Sequence, residues 1–469
     1  MEQELYDESF RDHISTVDDK GKRVWIFPKK QLGKFFRWRS ILSYFLLTFL
    51  FAGPWIRING QPLLLLGVLD RKFVIFGITF WPQDFWMFGL SMLAFILFII
   101  LFTVVYGRLF CGWVCPQTIF MEMLFRRIEY WIDGDAGQQR KLAAQAWNRE
   151  KAIKRISKHS IFYLISFLIG NTFLAYLIGS ERIIDIITHS PLDHLAGFIG
   201  MLVFSFVFYF VFAYLREQVC TTICPYGRLQ GVMLDRDSIV VAYDFVRGEP
   251  RGKLKKAKDP TEEPIKITGD CIDCALCVHV CPTGIDIRNG TQLECVNCTA
   301  CIDACDSIME KVNRPTGLIR YASYNMIAQK KPFKFTLRMA SYSLVLCLLL
   351  GVLGFSLATR SDVQTTVLRT PGMLYQKPSP GVYTNLYNIQ VVNKTMRQYP
   401  LEVRLLNKPG KIKLIGDSLV LKSQDMAKTS FFVELDAKDL EGHSTPIRIG
   451  IYSNGKQLDE VKTSFLGPF

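Results

Sequence analysis

Long uncharged runs of apolar residues alternate with densely charged segments along this chain of 469 residues. An α-helix needs about 20 consecutive, mainly apolar residues to cross the hydrocarbon core of a bilayer, and five of the runs come close to that length. We therefore predict a multi-domain membrane protein whose α-helical membrane domain has five transmembrane helices. They lie at residues 40–56, between Asp84 and Arg108, and at residues 161–179, 195–215 and 339–359.

A sixth apolar run, at residues 63–81, is long enough to span a bilayer but carries three charged residues at its middle. These are Asp70, Arg71 and Lys72. Charges near the centre of a spanning helix cost several kcal/mol on insertion scales. We therefore predict that this run forms two short strands instead, at residues 63–69 and 73–81, which pair as a hairpin on the outer surface.

The distribution of Lys and Arg predicts the orientation of the helices. Residues 108–158 and 216–334 are rich in both, whereas residues 57–84 and 180–194 are poor in them. Because short loops rich in Lys and Arg stay on the cytoplasmic side, we expect the amino terminus and residues 216–334 inside, and the carboxyl terminus outside. The net charge of +14 is then explained by charge beside the lipid bilayer, and no nucleic acid partner is indicated.

The polar segments around the helices form distinct parts of the predicted domain organisation. Residues 143–156 have apolar positions at helical spacing among Arg and Lys, which favours a helix lying along the inner leaflet. We expect a cytoplasmic basic arm at residues 1–39, a four-helix membrane region at 40–246, a linker at 247–268, and a connector with the fifth helix at 316–360. The basic run that ends the arm consists of Lys29, Lys30, Lys34, Arg37 and Arg39.

Past residue 360 the pattern changes to short runs of alternating apolar and polar residues. Residues 453–456, Ser-Asn-Gly-Lys, are typical of a tight hairpin turn. Seven short strands predict an exported immunoglobulin-like β-sandwich at residues 361–469, with docking of a partner as its default role. The predicted strands are residues 387–392, 401–406, 411–415, 419–422, 430–435, 447–452 and 461–465.

Eight of the thirteen cysteines repeat one spacing, C-x2-C-x2-C-x3-C. This is the spacing of two-cluster bacterial ferredoxins, in which the last cysteine of each set joins the other cluster. We predict a two-cluster ferredoxin domain, inserted at residues 269–315, that binds two [4Fe–4S] clusters. Zinc is the alternative, but zinc sites usually use two cysteine pairs with a longer spacer. The predicted ligands are Cys271, Cys274, Cys277 and Cys305 for one cluster, and Cys295, Cys298, Cys301 and Cys281 for the other.

Four more cysteines form a second repeat, C-x3-C-P, which follows the second helix and again the fourth. Its members are Cys111, Cys115, Cys220 and Cys224, each pair followed by a proline that we expect to stop or kink the helix. Three interpretations remain open. The two pairs could converge as a soft thiolate site for copper or for a further redox centre, act as redox-active dithiols, or simply pack as small buried residues.

Other candidate residues give weaker indications. His189 and His194 precede the fourth helix and are more typical of a solvated loop than of a metal site, and His279 is expected at the surface. Cys347, alone in the fifth helix, is expected to be a packing residue. Asp306 stands where a second proline would follow the second cysteine set, so it changes the charge beside a cluster and removes no ligand. No nucleotide-binding motif is present.

The order of these parts resembles the cytochrome c oxidase accessory protein family, membrane iron–sulfur proteins associated with the cbb(3)-type oxidase of bacteria. The resemblance extends over essentially the whole chain, and its clearest markers are residues 111–117, 220–235 and 271–306. It implies a multi-pass protein of the bacterial inner (cytoplasmic) membrane, with the ferredoxin domain cytoplasmic and the carboxyl-terminal domain periplasmic.

The resemblance also implies a function, which is assistance in oxidase assembly by reduction of Cu(II) to Cu(I) for the oxidase copper centre. Copper would then be a substrate, and the partners would be oxidase subunits or copper chaperones together with an unknown electron donor. The catalytic contacts or relay for copper would be Cys111, Cys115, Cys220 and Cys224. The alternatives are a non-enzymatic assembly scaffold and an electron conduit to another respiratory acceptor.

Overall fold

A computed structural model describes the chain except for residues 1–14, 19, 59, 68–71, 82–83, 254–268, 331, 334, 373, 396, 417–419, 424 and 469. The described chain divides into two compact units. The first consists of Met1–Trp55 and Phe88–Gly351, and the second of Ile56–Met87 and Val352–Phe469. Each unit is formed by two separate stretches of chain.

The five predicted spanning helices are confirmed. Within the described residues, five helices are long and apolar enough to cross a bilayer. Cys347 lies on the last of them but is exposed, so the prediction that it packs inside the protein is wrong. The helices are α1 (Lys34–Ala52), α2 (Phe85–Tyr106), α3 (Arg149–Ile178), α4 (Leu195–Leu215) and α5 (Leu337–Ala358).

The amino-terminal arm is shorter than predicted because α1 begins at Lys34. The Asp303 carboxylate accepts hydrogen bonds from the backbone N–H groups of Phe35 and Phe36, at 3.0 and 2.8 Å. A carboxylate at this end of a helix satisfies its free N–H groups and its positive dipole end. Arg39 therefore lies in the helix. The described part of the arm is bound to the ferredoxin region, since the N–H of Lys29 donates to the carbonyl of His279.

The separate surface helix predicted at residues 143–156 is wrong. The third spanning helix begins at Arg149 and continues for 30 residues, about 45 Å at the usual rise. Its first turn is capped by the Asn148 side chain, which accepts a hydrogen bond from the N–H of Lys151. Because the helix is longer than a bilayer core is thick, its charged first turns extend beyond the apolar segment. A shorter helix, Ala136–Ala144, precedes it.

The ferredoxin region includes strands outside the predicted residues 269–315. Val240–Tyr243 and Ile319–Ala322 form a two-stranded antiparallel sheet, and Val241, Met309 and Ile319 belong to one buried core with Cys271 and Cys277. Most of the predicted linker lies outside the described residues. The remaining helical segments of this unit are Leu109–Trp113, Pro116–Thr118, Ile119–Phe125, Arg126–Ile132, Ser180–Thr188, Val219–Ile223, Pro225–Met233, Phe245–Gly248, Leu276–His279, Ile287–Asn289, Ala300–Lys311 and Tyr324–Ala328.

The hairpin predicted at residues 63–81, which lies in the second unit, has three strands rather than two. Leu64–Gly67, Lys72–Ile75 and Ile78–Phe80 pair antiparallel in chain order. The predicted strand at residues 73–81 is divided by a tight turn at Phe76 and Gly77, where φ is 51° and 77°. Asp70 and Arg71, on which that prediction depended, lie outside the described residues. Arg57–Ile58 and Gln61–Pro62 form a further short ladder.

The carboxyl-terminal part of the second unit is a β-sandwich, as predicted. Buried side chains including Tyr387, Phe431 and Ile449 form its core, and the predicted turn is confirmed by positive φ values at Asn454 and Gly455. One sheet contains Val363–Arg369, Gln376–Ser379, Val382–Asn393, Met426–Asp436 and Gly410–Ile415, the other contains Glu402–Leu405, Ser444–Ser453 and Lys456–Leu466, and Tyr399–Pro400 pairs with Val420–Leu421.

Three of these strands were missed by the sequence analysis. They are Val363–Arg369, Gln376–Ser379 and Tyr399–Pro400. The first has four β-branched residues among its seven and mostly alternates buried with half-buried positions, so its own sequence did carry the pattern of a half-buried strand. It pairs with the long strand Val382–Asn393.

Candidate metal centres

The eight ferredoxin cysteines line two neighbouring cavities. One cavity is lined by Cys271, Cys274, Cys277 and Cys305 among other residues. The other is lined by Cys281, Cys295, Cys298 and Cys301, and Cys277 also reaches it. The fourth cysteine of each set thus lies beside the first three of the other set. The donor types are those that hold [4Fe–4S] clusters, and each cavity offers four sulfurs.

The backbone turns in the same way around both cavities. In each set the residue before the second cysteine and the residue after it have positive φ. These are Asp273 and Ala275 in the first set, at 53° and 54°, and Asn297 and Thr299 in the second, at 53° and 64°. Non-glycine residues rarely adopt this conformation. Its repetition curls each Cys-x2-Cys-x2-Cys stretch around a common centre, and a helix begins directly after the second positive-φ residue, so that the third cysteine lies in its first turn.

Burial disfavours the ionised, thiolate form of these cysteines unless a metal ion binds them. Burial raises the pKa of Cys298 to about 12, although Arg39 lowers it. Burial likewise raises the pKa of Cys305 to about 12, with smaller increases from Cys277 and Asp306. A coordinating metal ion deprotonates a thiol directly, and a thiolate held by iron no longer carries an uncompensated buried charge. The residues therefore fit an iron–sulfur cluster in each cavity.

The two cavities differ in their exposure. Cys274, at the first, is exposed at the surface of the chain. Cys298, at the second, is 7% exposed, and it belongs to a buried cluster that also contains Cys111 of the membrane domain. The first cavity is thus the one that a soluble molecule can approach. The second faces the C-x3-C-P loops.

Each C-x3-C-P loop begins with a break in the preceding helix. Gly107 follows α2 and Arg216 follows α4, and their φ angles are 56° and 52°. Four residues further on lie Cys111 and Cys220, each in a short helical turn. The two breaks therefore have the same offset from the first cysteine. This agreement extends the sequence repeat to the backbone conformation.

The second cysteine of each loop precedes a new helix. Cys115 and Cys224 have similar extended conformations, with φ and ψ of −57° and 124° in one and −69° and 111° in the other. Pro116 and Pro225 are the first residues of the following helices. The prediction that each proline stops a helix is confirmed, since the preceding helical turns end at Trp113 and Ile223, and each proline also begins the next helix. Proline suits the first helical position because the N–H it lacks has no partner there.

The four thiols of the two loops lie near one another. Burial raises the pKa of Cys220 to about 12, and Cys115, Cys111 and Cys224 raise it further by charge repulsion. Burial also raises the pKa of Cys111 to about 12, against a lowering by Arg108. The Cys111 thiol donates to the Gln230 side-chain oxygen at 2.9 Å. The four cysteines of the two loops are thus close enough for their charges to interact, although among the described residues no three His, Cys, Asp or Glu side chains are arranged to hold a single metal ion.

Contacts of main-chain groups join these loops to the second ferredoxin cavity. A Cβ atom on Gly112 would lie 2.4 Å from the carbonyl oxygen of Asn297, so only glycine permits this approach. Arg39 donates to the carbonyls of Gly112 and Cys298 at 3.0 and 2.7 Å. Arg108 donates to the carbonyl of Cys295 at 3.2 Å.

These connecting residues were not predicted from the sequence, in which Arg39 belonged to the basic arm and Arg108 marked only the end of a helix. The sequence did offer a local indication for Arg108, because this residue lies between the end of α2 and the first C-x3-C-P motif. Gln230 gave none, since its role depends on a contact with a residue 119 positions away.

A network of buried ion pairs lies beside the loops. Arg216 donates to both carboxylate oxygens of Glu129, at 2.6 and 2.8 Å. Lys158 contacts Asp133 at 2.7 Å and Glu129 at 3.5 Å. Burial raises the pKa of Glu129, but Arg216 and Lys158 outweigh it and lower that pKa to about 2. These pairs fix the break after α4 against the start of α3.

Comparisons with known proteins agree with this division of the chain. A family profile described as "4Fe-4S dicluster domain" matches residues 215–324, and one described as "4Fe-4S binding domain" matches residues 88–135. A third, "IG-like fold at C-terminal of FixG, putative oxidoreductase", matches residues 353–468. The first two matches include both C-x3-C-P loops as well as the ferredoxin cysteines.

Three curated relatives extend the similarity over most of the chain. Protein RdxB of Cereibacter sphaeroides is 35% identical over 401 residues, which cover 81% of this chain and 82% of that protein. Nitrogen fixation protein FixG of Rhizobium meliloti is 38% identical over 310 residues, covering 64% and 58%. Protein RdxA of Cereibacter sphaeroides is 35% identical over 310 residues, covering 64% and 62%.

Proposed function

This chain belongs to the family of RdxB, FixG and RdxA, the cytochrome c oxidase accessory proteins that its sequence resembles, and we propose that it reduces Cu(II) to Cu(I) for the copper centre of an oxidase. It is a membrane protein with iron–sulfur domains. Each Cu(II) that becomes Cu(I) takes up one electron. The copper contacts are Cys111, Cys115, Cys220 and Cys224.

The observation that carries this proposal is the position of the four thiols against the second ferredoxin cavity. Cys111 and Cys298 share one buried cluster, and Arg39 bridges Gly112 and Cys298. When bound, the two clusters supply the one-electron chemistry, with Cys271, Cys274, Cys277 and Cys305 as ligands of one and Cys281, Cys295, Cys298 and Cys301 as ligands of the other. Soft sulfur donors favour Cu(I) over Cu(II), so the four thiols retain the product.

The orientation of the chain is part of the proposal. We place the ferredoxin region and the C-x3-C-P loops on the cytoplasmic side of a bacterial inner membrane, and the β-sandwich on the periplasmic side. The excess of Lys and Arg in residues 108–158 and 216–334 supports this orientation. The sandwich then presents its outer strands to oxidase subunits or to copper chaperones. The electron donor reaches the exposed side at Cys274.

A second candidate for the four membrane thiols is a further redox centre. The match of residues 88–135 to a 4Fe-4S binding domain favours it, because that stretch contains only Cys111 and Cys115. Iron analysis separates the two assignments. Two [4Fe–4S] clusters contain about eight iron atoms per chain, and a third cluster adds about four. If the iron content falls on changing the four membrane cysteines to Ser, those cysteines ligate iron rather than receive copper.

The test of the proposed function is anaerobic reduction of Cu(II) by the pre-reduced protein after removal of the reductant. The comparison protein carries Cys111→Ser, Cys115→Ser, Cys220→Ser and Cys224→Ser, with both clusters verified by their absorption and iron content. We expect rapid formation of Cu(I) in the wild type and slow formation in the variant. Equal rates would show that copper is not reduced at these cysteines. They would favour an assembly scaffold or an electron conduit to another respiratory acceptor.

A further inference from the structure

Two buried arginines lie beside the second ferredoxin cavity, Arg39 and Arg108, which are 2% and 3% exposed. Each donates a hydrogen bond to the backbone carbonyl of a cysteine that lines this cavity, Cys298 for Arg39 and Cys295 for Arg108. Their other hydrogen-bond acceptors among the described residues are neutral as well. These are the carbonyls of Gly112, Gly227 and Leu293 and the side-chain oxygens of Gln31 and Gln230.

Two buried cations with neutral partners require an anion. A buried charge without a counter-charge is costly to a fold. An iron–sulfur cluster held by four thiolates carries a net negative charge, and that charge increases by one on reduction. Arg39 and Arg108 therefore fit a negatively charged group in the second cavity, and they stabilise its reduced form more than its oxidised form.

The cations at the first ferredoxin cavity are already paired. Arg288 lines that cavity, and it contacts Asp273 at 2.5 Å and Asp286 at 2.6 Å. Arg247 contacts Asp270, the residue before the first cysteine of the set, at 2.5 Å. These carboxylates cancel the positive charge of both arginines. The first cavity therefore has no excess of positive charge comparable to that of the second.

Asp306 adds a further negative charge at the first cavity. It directly follows Cys305 and is half-buried. Its carboxylate accepts a hydrogen bond of 2.8 Å from the backbone N–H of Gly317, which fixes its position without compensating its charge. After burial and Cys277, repulsion from Asp306 raises the pKa of Cys305. The same repulsion disfavours an added electron at that cysteine's cluster.

We propose that these charges order the two clusters, so that the one held by the first set has the lower reduction potential and the one held by the second set has the higher. Asp306 lowers the first potential, and Arg39 and Arg108 raise the second. One electron then moves from the first site, which is oxidised, to the second, which is reduced, without any change in bonds. Delivery onward to the membrane thiols rests on the proposed function, whereas the order of the potentials does not.

The exposure of Cys274 opposes this order, because water stabilises the added negative charge of a reduced cluster. It acts at one cysteine of the first set. Arg39 and Arg108 contact the backbone of two cysteines of the second set, and they do so inside the protein, where charges interact more strongly than in water. The difference in charge therefore outweighs the difference in exposure.

The test is an anaerobic redox titration of the complete protein, followed by electron paramagnetic resonance. The variant is Asp306→Asn, which keeps the size of the side chain and an oxygen for the N–H of Gly317. The matched control is Glu310→Gln, an exposed residue of the same helix. We expect two separate steps in the wild type. Asp306→Asn should favour reduction in the lower-potential step about fivefold at a fixed potential, or about 40 mV at 59 mV per tenfold.

Arg39→Gln is the second variant, and it should shift only the higher-potential step, towards lower potential. An iron content of about eight atoms per chain verifies both clusters in each protein. A single step in the wild type, or a shift of the higher-potential step by Asp306→Asn, would refute the proposed order. Equal shifts of both steps, or none, would show that Asp306 does not set it. Cu(I) formation is measured separately, so failure of this order is distinguishable from failure of the proposed reductase activity.

Discussion

The guanidinium of Arg39 donates a hydrogen bond of 2.7 Å to the carbonyl oxygen of Cys298. Arg39 belongs to the first turns of α1, and Cys298 is the second cysteine of the second ferredoxin set. The same side chain also donates to Gly112 in the first C-x3-C-P loop. One buried cation therefore connects a spanning helix, a thiol loop and a ferredoxin cavity. It also lies where its charge acts on any group that the cavity binds.

We predict that Arg39→Gln makes the second cluster harder to reduce. Removing a nearby positive charge disfavours the added electron, and the potential should become more negative by roughly 50 mV. The measurement is a redox titration followed by electron paramagnetic resonance. The control is Arg37→Gln, two positions away on the same helix but exposed. Equal potentials in both variants would contradict an electrostatic role for Arg39.

The difference in exposure predicts an order of chemical attack. Cys274 is exposed, whereas Cys298 is buried, so a bulky hydrophilic iron chelator should remove the cluster at the first cavity before the one at the second. Mössbauer spectra recorded during chelation follow both populations. Cys274→Ser should accelerate the early phase and leave the late phase unchanged. Simultaneous loss of both clusters, or loss in the reverse order, would show that exposure of Cys274 does not control access.

Glu129 is predicted to be important for the stability of the membrane domain. Glu129→Gln leaves Arg216 and Lys158 without their shared carboxylate, and breaking a buried ion pair costs about 3–5 kcal/mol. The control Glu150→Gln removes an exposed pair with Lys154 and should leave the melting temperature unchanged. Thermal unfolding in detergent, with cluster content checked, measures both. Equal melting temperatures in the two variants would contradict the assigned role.

The Glu129 contribution also has a predicted pH dependence. Its pKa is lowered from 4.5 to about 2 by the fold, so the ionised carboxylate stabilises the folded state fully above about pH 4.5. That contribution decreases as the pH falls towards 2. The difference in stability between wild type and Glu129→Gln should therefore shrink over this interval. A difference in stability that stays constant between pH 5 and pH 2 would contradict this lowered pKa of Glu129.

In the second unit, Asp84 is predicted to hold the start of the β-sandwich beside the three-stranded hairpin at residues 64–80. Its carboxylate contacts Arg360 and Lys394 at 2.6 Å each, and all three side chains are buried. Asp84→Asn removes the carboxylate that Arg360 and Lys394 share and leaves Lys394 with only the charge of Asp459, so it should destabilise this unit by about 3–5 kcal/mol. Limited proteolysis of the β-sandwich during heating detects the loss. The control Glu402→Gln breaks an exposed pair with Arg404 and should have no effect.

Much of this architecture could be predicted from local sequence patterns. Runs of apolar residues are sufficient to find α1 to α5, because a bilayer imposes their length. The cysteine spacing predicted which four sulfurs meet in each ferredoxin cavity, since that spacing reflects the turn around a common centre. The start of α3 at Arg149 was missed because its charged residues resemble a surface helix, and their partner Asp133 lies 25 positions from Lys158.

What could not be predicted depends on contacts between distant parts of the chain. Asp303 caps α1 from a position 268 residues away from Phe35, and no local pattern indicates such a partner. The convergence of the two C-x3-C-P loops was one of three interpretations, because the repeat alone does not determine how α2 and α4 pack. The interpretation of His189 and His194 as solvated residues is confirmed by their exposure of 58% and 45%, but their ion pairs with Asp185 were not predicted, since these form only once the helix Ser180–Thr188 is in place.

The central claim is that this protein delivers electrons to copper at the four membrane thiols. The most direct measurement mixes the anaerobically reduced wild type with a slight excess of Cu(II) and counts Cu(I) formed against cluster reoxidised. The account predicts a fast phase that yields about two Cu(I) per chain, one for each cluster, and loss of that phase when the four membrane cysteines are Ser. A fast phase of the same size in the four-Ser variant would contradict it.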